Sequence, residues 1–132
     1  MRKSKALKAY LIISGLLLTF IGGATLVAPV AMKGGSGIDI AGNISVINDV
    51  RAASALLLTL ALLTVSGAFV KRLTFTSSLI APVLFLSMGI GRSLSLLLDG
   101  MPVEGLVNAT VLELVLGTIG VFLFARFQER KS

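Results

Sequence analysis

Four long apolar runs, separated by short polar segments, make up most of the chain. They cover about residues 10–32, 50–70, 73–98 and 103–124. The apolar residues are continuous rather than alternating, and a bilayer core of about 30 Å takes roughly 20 residues of helix. Because lipid leaves each segment to satisfy its own backbone hydrogen bonds, helices are favoured over strands. The pattern predicts an all-α integral membrane bundle of four transmembrane helices.

Composition supports this prediction and limits what else the chain can hold. Of its 132 residues, 55% are hydrophobic and 14% are charged, and its mean hydropathy is +0.99. A soluble domain needs more polar surface than this composition supplies. Four spans and their loops use the whole length, so we expect residues 1–132 to form a single transmembrane domain.

The first run could instead be a secretory signal, because it follows the basic lead MRKSKALK. Its apolar stretch is about twice as long as a signal core. The obvious small residue for cleavage, Ala28, is followed by Pro29. We therefore expect the first run to remain as a membrane span.

The basic residues collect on one side of the predicted bundle. Three cations lie on the other side or near it: Lys33, Arg51 and Arg92. Nine lie at the two termini and in the loop between the second and third runs, namely Arg2, Lys3, Lys5, Lys8, Lys71, Arg72, Arg126, Arg130 and Lys131. The positive-inside rule then predicts a bacterial inner-membrane protein with both termini in the cytoplasm. The net charge of +6 fits contact with anionic lipid heads. Nucleic-acid binding is not expected, since the cations are dispersed without interleaved aromatic residues.

The residue inventory limits the chemistry. Cysteine and histidine are both absent, which excludes disulfides, thiolate sites, zinc sites of the usual kind and Ser-His triads. Glu104 and Glu113 lie nearly on opposite faces of one helix, so they do not converge as a glycosidase pair would. No nucleophile–base pair is visible, and we expect no metal, no cofactor and no enzymatic activity.

Small residues mark two helix faces. Gly15, Thr19, Gly22 and Gly23 share one face of the first helix, and Thr110, Gly117 and Gly120 share a face of the fourth with Glu113. Small residues let membrane helices approach closely. Packing within the bundle is the simpler interpretation, and a homodimer interface is the alternative.

The buried charges are the most informative feature. Arg92 lies about 10 Å and Glu113 about 16 Å from the predicted outer ends of their helices, at 1.5 Å per residue. Charges at such depth need a partner inside the bundle. We expect Arg92 to pair with Glu113, although Asp99 shares a helix face with Arg92 and Ser95 and competes for it. The group is either a functional polar site or a structural ion pair, and the sequence leaves both open.

Further polar residues surround the predicted outer mouth of the bundle. Glu104 and Asn108 are neighbours on one helix face, and Asp49 lies where an acid complements the helix dipole. Ordinary interfacial capping explains such residues. The alternative joins them with Arg92 in one pocket, and the candidate site then comprises Asn43, Asp49, Arg51, Arg92, Ser95, Asp99, Glu104, Asn108 and Glu113.

Three stretches of the chain resemble a known family. They are GNISVINDVRA (42–52), GIGRSLSLLLDGMP (89–102) and LEL (112–114). Together they resemble an uncharacterised family of bacterial four-helix membrane proteins, known as domain of unknown function 4345. The family often has Glu and Ile where this chain has Asp49 and Val50. The resemblance implies four helices over nearly the whole chain, and it implies no activity.

Two functional hypotheses follow from these observations. In the first, the protein binds or transports a small polar or amphipathic ligand in a charged pocket in the outer half of the bundle. In the second, it is an accessory or assembly subunit, and its buried charges only pair with each other. Besides the lipid bilayer, the expected partners are a small ligand, another membrane protein or a second copy of the chain.

Overall fold

The computed structural model describes residues 5–127, and the described part is helical throughout its regular structure. Helix α1 covers Lys5–Val27 and is followed by a short helix α2, Pro29–Gly35. Helix α3 covers Ile44–Phe69, and a 3-10 turn at Lys71–Leu73 leads into α4. Helices α4 and α5 cover Thr74–Asp99 and Glu104–Phe127.

The prediction of four transmembrane helices in an all-α fold is confirmed. Helices α1, α3, α4 and α5 are each long and apolar enough to cross a membrane. Successive spans run in opposite directions, so the bundle has two ends. We name the end with segments 36–43 and 100–103 the Asp99 end. We name the opposite end the Lys71 end; it contains the 3-10 turn, the start of α1 at Lys5 and the end of α5 at Phe127.

The first two spans begin and end at different residues from those of the apolar runs. Helix α1 begins earlier, at Lys5, and ends at Val27 rather than near residue 32. Pro29 has no backbone N–H and cannot continue the ladder, but its fixed φ suits the first position of a new helix, where it starts α2.

The second span begins before its apolar run. Helix α3 starts at Ile44 rather than near residue 50, and Asn43 Oδ1 accepts a hydrogen bond from Val46 N at 3.1 Å. This N-cap satisfies one of the free amides of the first turn. The first turns, ISVIND (44–49), mix apolar and polar residues, so the continuous apolar run begins only at Val50 and did not include them.

The four long helices pack as two pairs. Helix α1 packs against α3, and α4 packs against α5. Glycines permit the close approach in both pairs: a Cβ on Gly22 would lie 2.9 Å from the backbone nitrogen of Leu58, and one on Gly117 would lie 3.1 Å from that of Leu86. These glycines belong to the two small-residue faces, which pack inside the bundle.

Hydrogen bonds join the two pairs towards the Lys71 end. Ser77 Oγ on α4 donates to the Leu63 carbonyl of α3 at 2.7 Å, and Tyr10 Oη on α1 donates to the Leu116 carbonyl of α5 at 2.8 Å. The apolar core fills the same half and the middle of the bundle: Leu7, Tyr10, Leu11, Leu18, Ala61, Ala81, Phe85 and Leu123.

Burial changes towards the Asp99 end. No residue of α4 after Gly89 is buried, and residues 104–109 of α5 are at least partly exposed. Ten residues of helix span about 15 Å, half the thickness of a bilayer core. The tightly packed half thus supports a second half in which the charged residues of α4 are not enclosed by the chain.

Candidate functional site

The most deeply placed charges form an ion pair across α4 and α5. Arg92 Nε donates to Glu113 Oε1 at 2.9 Å. Gly89, one turn before Arg92, lets the two helices pack closely, since a Cβ there would lie 2.9 Å from Leu114 Cγ and 3.4 Å from the Leu114 backbone nitrogen. Close backbones let the arginine reach Glu113 from the neighbouring helix. The contact expected from the sequence is therefore present.

The two partners of this pair differ in exposure. The Glu113 side chain is 10% exposed, whereas that of Arg92 is 37% exposed. The carboxylate lies between the helices, next to the buried Thr110 one turn away on the same face. The Arg92 side chain is therefore the more exposed partner of the ion pair. Within residues 5–127 the contact through Nε is the one hydrogen bond that Arg92 makes, so both terminal nitrogens have unused donors.

Asp99 does not take Arg92 from Glu113. Its Oδ2 accepts a hydrogen bond from Ser95 Oγ at 2.9 Å, within the last turn of α4. Both residues are exposed. Among the described residues, no ion pair joins Arg92 to Asp99. Of the two acids that the sequence suggested as partners, Arg92 therefore binds Glu113, which is the more buried one.

Arg51 belongs to the other helix pair and has a different partner. Its Nη1 donates to the Leu26 carbonyl at 2.6 Å, at the end of α1. Helix α1 ends there because Pro29 follows, so its last carbonyls need donors from elsewhere. A cation also complements the negative end of the helix dipole. Arg51 therefore fastens the start of α3 to the end of α1.

The remaining candidates lie on the surface of the Asp99 end. Asn43 is the cap of α3, and Asp49 is exposed on its second turn. Glu104 is in the first turn of α5, where an acid complements the dipole, and Asn108 is exposed one turn later. Within residues 5–127, no hydrogen bond or ion pair connects these four residues to Arg92 and Glu113. The structure thus contains an ion pair with separate capping residues around it.

One contribution to the Asp99 end was missed from the sequence. The glycine-rich segment after α2 turns at Gly37 and Gly42, which have φ values of 86° and 80°. Its Ile40 is buried, at 6% exposure, and a Cβ on Gly37 would lie 3.3 Å from Val103 Cγ1. The segment therefore reaches from the first helix pair to the start of α5. The alternating Ile38 and Ile40 within a polar loop were the signal for this contact.

The chemistry open to this arrangement is recognition through hydrogen bonds. Among residues 5–127, no group of three or more acidic side chains converges in a way that could hold a metal ion. What faces outward from the ion pair is a cationic, planar donor group, which suits a ligand with hydrogen-bond acceptors.

Comparison with known proteins agrees with the resemblance found in the sequence. No curated protein and no solved structure matches the chain. The family described as Domain of unknown function (DUF4345) matches residues 6–124, a range that includes all four spans and the Arg92–Glu113 pair. The chain therefore belongs to the DUF4345 family.

Proposed function

We propose that this protein binds a small polar or amphipathic ligand within the membrane, at the Arg92–Glu113 pair. The observation that carries this proposal is the difference in exposure between the partners, 37% for Arg92 and 10% for Glu113. A purely structural pair gains most when both groups are enclosed and all their donors are used. Here the acid is enclosed, whereas the arginine side chain is partly exposed and has unused donors.

The surroundings of Arg92 favour a ligand that is partly apolar. Met88 and Leu96 lie one turn before and one turn after Arg92 on the same helix face, and both are half-buried. An apolar group can therefore contact this stripe while a polar group reaches the guanidinium. Ionisable residues within membrane spans generally mark binding sites or pathways, which is a further reason to assign a role to this one.

The orientation of the protein is part of the proposal. The Asp99 end is assigned to the outside of a bacterial inner membrane and the Lys71 end to the cytoplasm. Five described cations support this assignment, since Lys5, Lys8, Lys71, Arg72 and Arg126 all lie towards the Lys71 end. Arg2, Lys3, Arg130 and Lys131 lie outside the described residues. The ligand site is then in the outer half of the membrane.

The test is to identify molecules that remain bound through purification. Wild-type protein, an Arg92→Gln/Glu113→Gln variant and an Arg72→Gln control are extracted from native membranes in a mild detergent and examined by native mass spectrometry. The double variant removes both charges together, which leaves no unpaired buried charge behind. We expect a retained molecule in the wild type and in the control, and its loss from the double variant.

Two other results would argue against ligand binding. Identical bound molecules in all three proteins would mean that the pair takes no part in retention. Co-purification of a stoichiometric membrane protein, with no small molecule in any of the three, would favour the alternative role as an accessory or assembly subunit.

A further inference from the structure

The unused donors of Arg92 define what kind of group can bind there. Its Nε donates to Glu113, and the terminal nitrogens have no hydrogen-bond partner within residues 5–127. Guanidinium groups bind carboxylates and phosphates through two parallel hydrogen bonds. Glu113 makes one contact through one atom, so it does not use this geometry. A second acid group would complete it.

We infer that the ligand is an amphipathic acid, whose carboxylate or phosphate binds the terminal nitrogens of Arg92 while its apolar part lies along α4. This inference rests on the proposed function and narrows it to one chemical class. The acid would sit about 10 Å inside the end of α4, because Arg92 precedes Asp99 by about two turns. A water-soluble anion gains no apolar contact at that depth.

The charges at the Asp99 end indicate that the acid arrives from the bilayer rather than from water. Four carboxylates lie at that end of the bundle, together with two cations, Lys33 and Arg51. Arg51 already donates a hydrogen bond to the Leu26 carbonyl. The four carboxylates are Asp39, Asp49, Asp99 and Glu104, and all are exposed. Such a rim disfavours a free anion approaching from solution. It does not oppose a molecule that already lies in the membrane.

The experiment compares acids with a neutral match of the same shape. Full-length protein in dodecyl maltoside is titrated with oleate, methyl oleate, phosphatidylglycerol and inorganic phosphate. Binding is followed by native mass spectrometry and by the midpoint of thermal unfolding. We expect oleate, phosphatidylglycerol or both to bind and raise the midpoint. Methyl oleate and inorganic phosphate should do neither, the first because it lacks the charge and the second because it lacks the apolar part.

Variants identify the guanidinium as the binding group. Arg92→Gln should weaken binding of the acid about tenfold or more, the loss expected for a charge-assisted hydrogen bond. Arg92→Lys, which keeps the charge and is more conservative for folding, should give an intermediate loss. Arg72→Gln should bind as the wild type does. Glu113→Gln should still bind the acid and should be stabilised by it more than the wild type, since the acid then compensates an otherwise unpaired arginine.

The opposite results separate this inference from the function on which it rests. If oleate and methyl oleate bound equally, or if neither Arg92 variant weakened binding of the acid, the ligand would not be an acid that binds Arg92. If inorganic phosphate stabilised the protein as much as oleate or phosphatidylglycerol does, the inference that the acid comes from the bilayer would be wrong. If a neutral molecule is retained in an Arg92-dependent way, ligand binding stands and the acid class is wrong. If the wild type binds none of these probes and retains nothing from native membranes, both fail.

Discussion

Tyr10 and Leu116 connect the first and last spans of the bundle, since the tyrosine hydroxyl donates to the leucine carbonyl at 2.8 Å. The ring of Tyr10 lies against Gly120, where a larger residue would collide with it. Sequence separation between the two partners is nearly the length of the chain. This contact therefore closes the bundle, because it joins the first span of one helix pair to the last span of the other, which the chain connects only through α3 and α4.

We expect Tyr10→Phe to have a small effect on stability. The Leu116 carbonyl lies within a helix and already accepts a backbone hydrogen bond, and hydrogen bonds between membrane helices average about 0.6 kcal/mol. Tyr10→Ala should cost several times more, since it also removes the ring from the core. Reversible unfolding in mixed micelles measures both variants. If the Phe variant were as unstable as the Ala variant, the hydroxyl rather than the ring would hold the bundle together.

Gly22→Ala should destabilise the bundle by about 1–3 kcal/mol, the usual penalty for overpacking. The added Cβ would lie 2.9 Å from Leu58 N and 3.1 Å from Leu58 Cα, and a backbone cannot turn aside as a side chain can. Gly91→Ala is the matched control, because apart from its chain neighbours and the nearby backbone of its own helix, no described atom lies within 4 Å of its added Cβ. The control should be neutral or slightly stabilising, given the higher helix propensity of alanine. Both variants are measured by the same unfolding assay. If they lost equal stability, close packing at Gly22 would not explain the effect.

The sequence predicted those features that depend on composition and local spacing. The four spans follow from apolar length, and the Arg92–Glu113 contact follows from depth along two antiparallel neighbours. The role of Arg51 could not be predicted in this way, since its partner is the backbone carbonyl of Leu26. Every residue has such a carbonyl, so the sequence does not distinguish this one. The start of α3 was missed for a related reason: Asn48 and Asp49 interrupt the apolar run, and hydropathy does not detect that the helix continues past them to the cap at Asn43.

The proposed orientation predicts which loops an external reagent reaches. The chain has no cysteine, so single cysteines can be introduced at Gly100 and at Lys71, both exposed and at opposite ends of the bundle. In intact cells, an impermeant thiol reagent should label the Gly100→Cys variant and not the Lys71→Cys variant, because cations favour the cytoplasmic side. Both should react once the cells are opened. Labelling of Lys71→Cys from outside would reverse the orientation and place the ligand site in the inner half of the membrane.

The ion pair of Arg92 and Glu113 predicts a specific pattern of energetic coupling. Breaking a fully buried pair costs about 3–5 kcal/mol, and exposed pairs contribute about 1 kcal/mol or less. With Glu113 enclosed and Arg92 partly exposed, we expect about 2 kcal/mol for Arg92→Gln and a similar loss for Glu113→Gln, because each change leaves one charge within the membrane without its partner.

The double variant distinguishes a coupled pair from two independent charges. Removing both charges should cost about 1 kcal/mol or more less than the sum of the single losses, because neither charge is left uncompensated. A second cycle, which combines Ser95→Gln with Arg92→Gln, is the control. Ser95 donates to Asp99 and makes no hydrogen bond to Glu113, so the losses of stability from the two substitutions should be additive. Stability is measured by reversible unfolding in bicelles. Additive losses for Arg92 and Glu113 would show that the contact contributes no free energy, and that Glu113 is an isolated acid within the membrane.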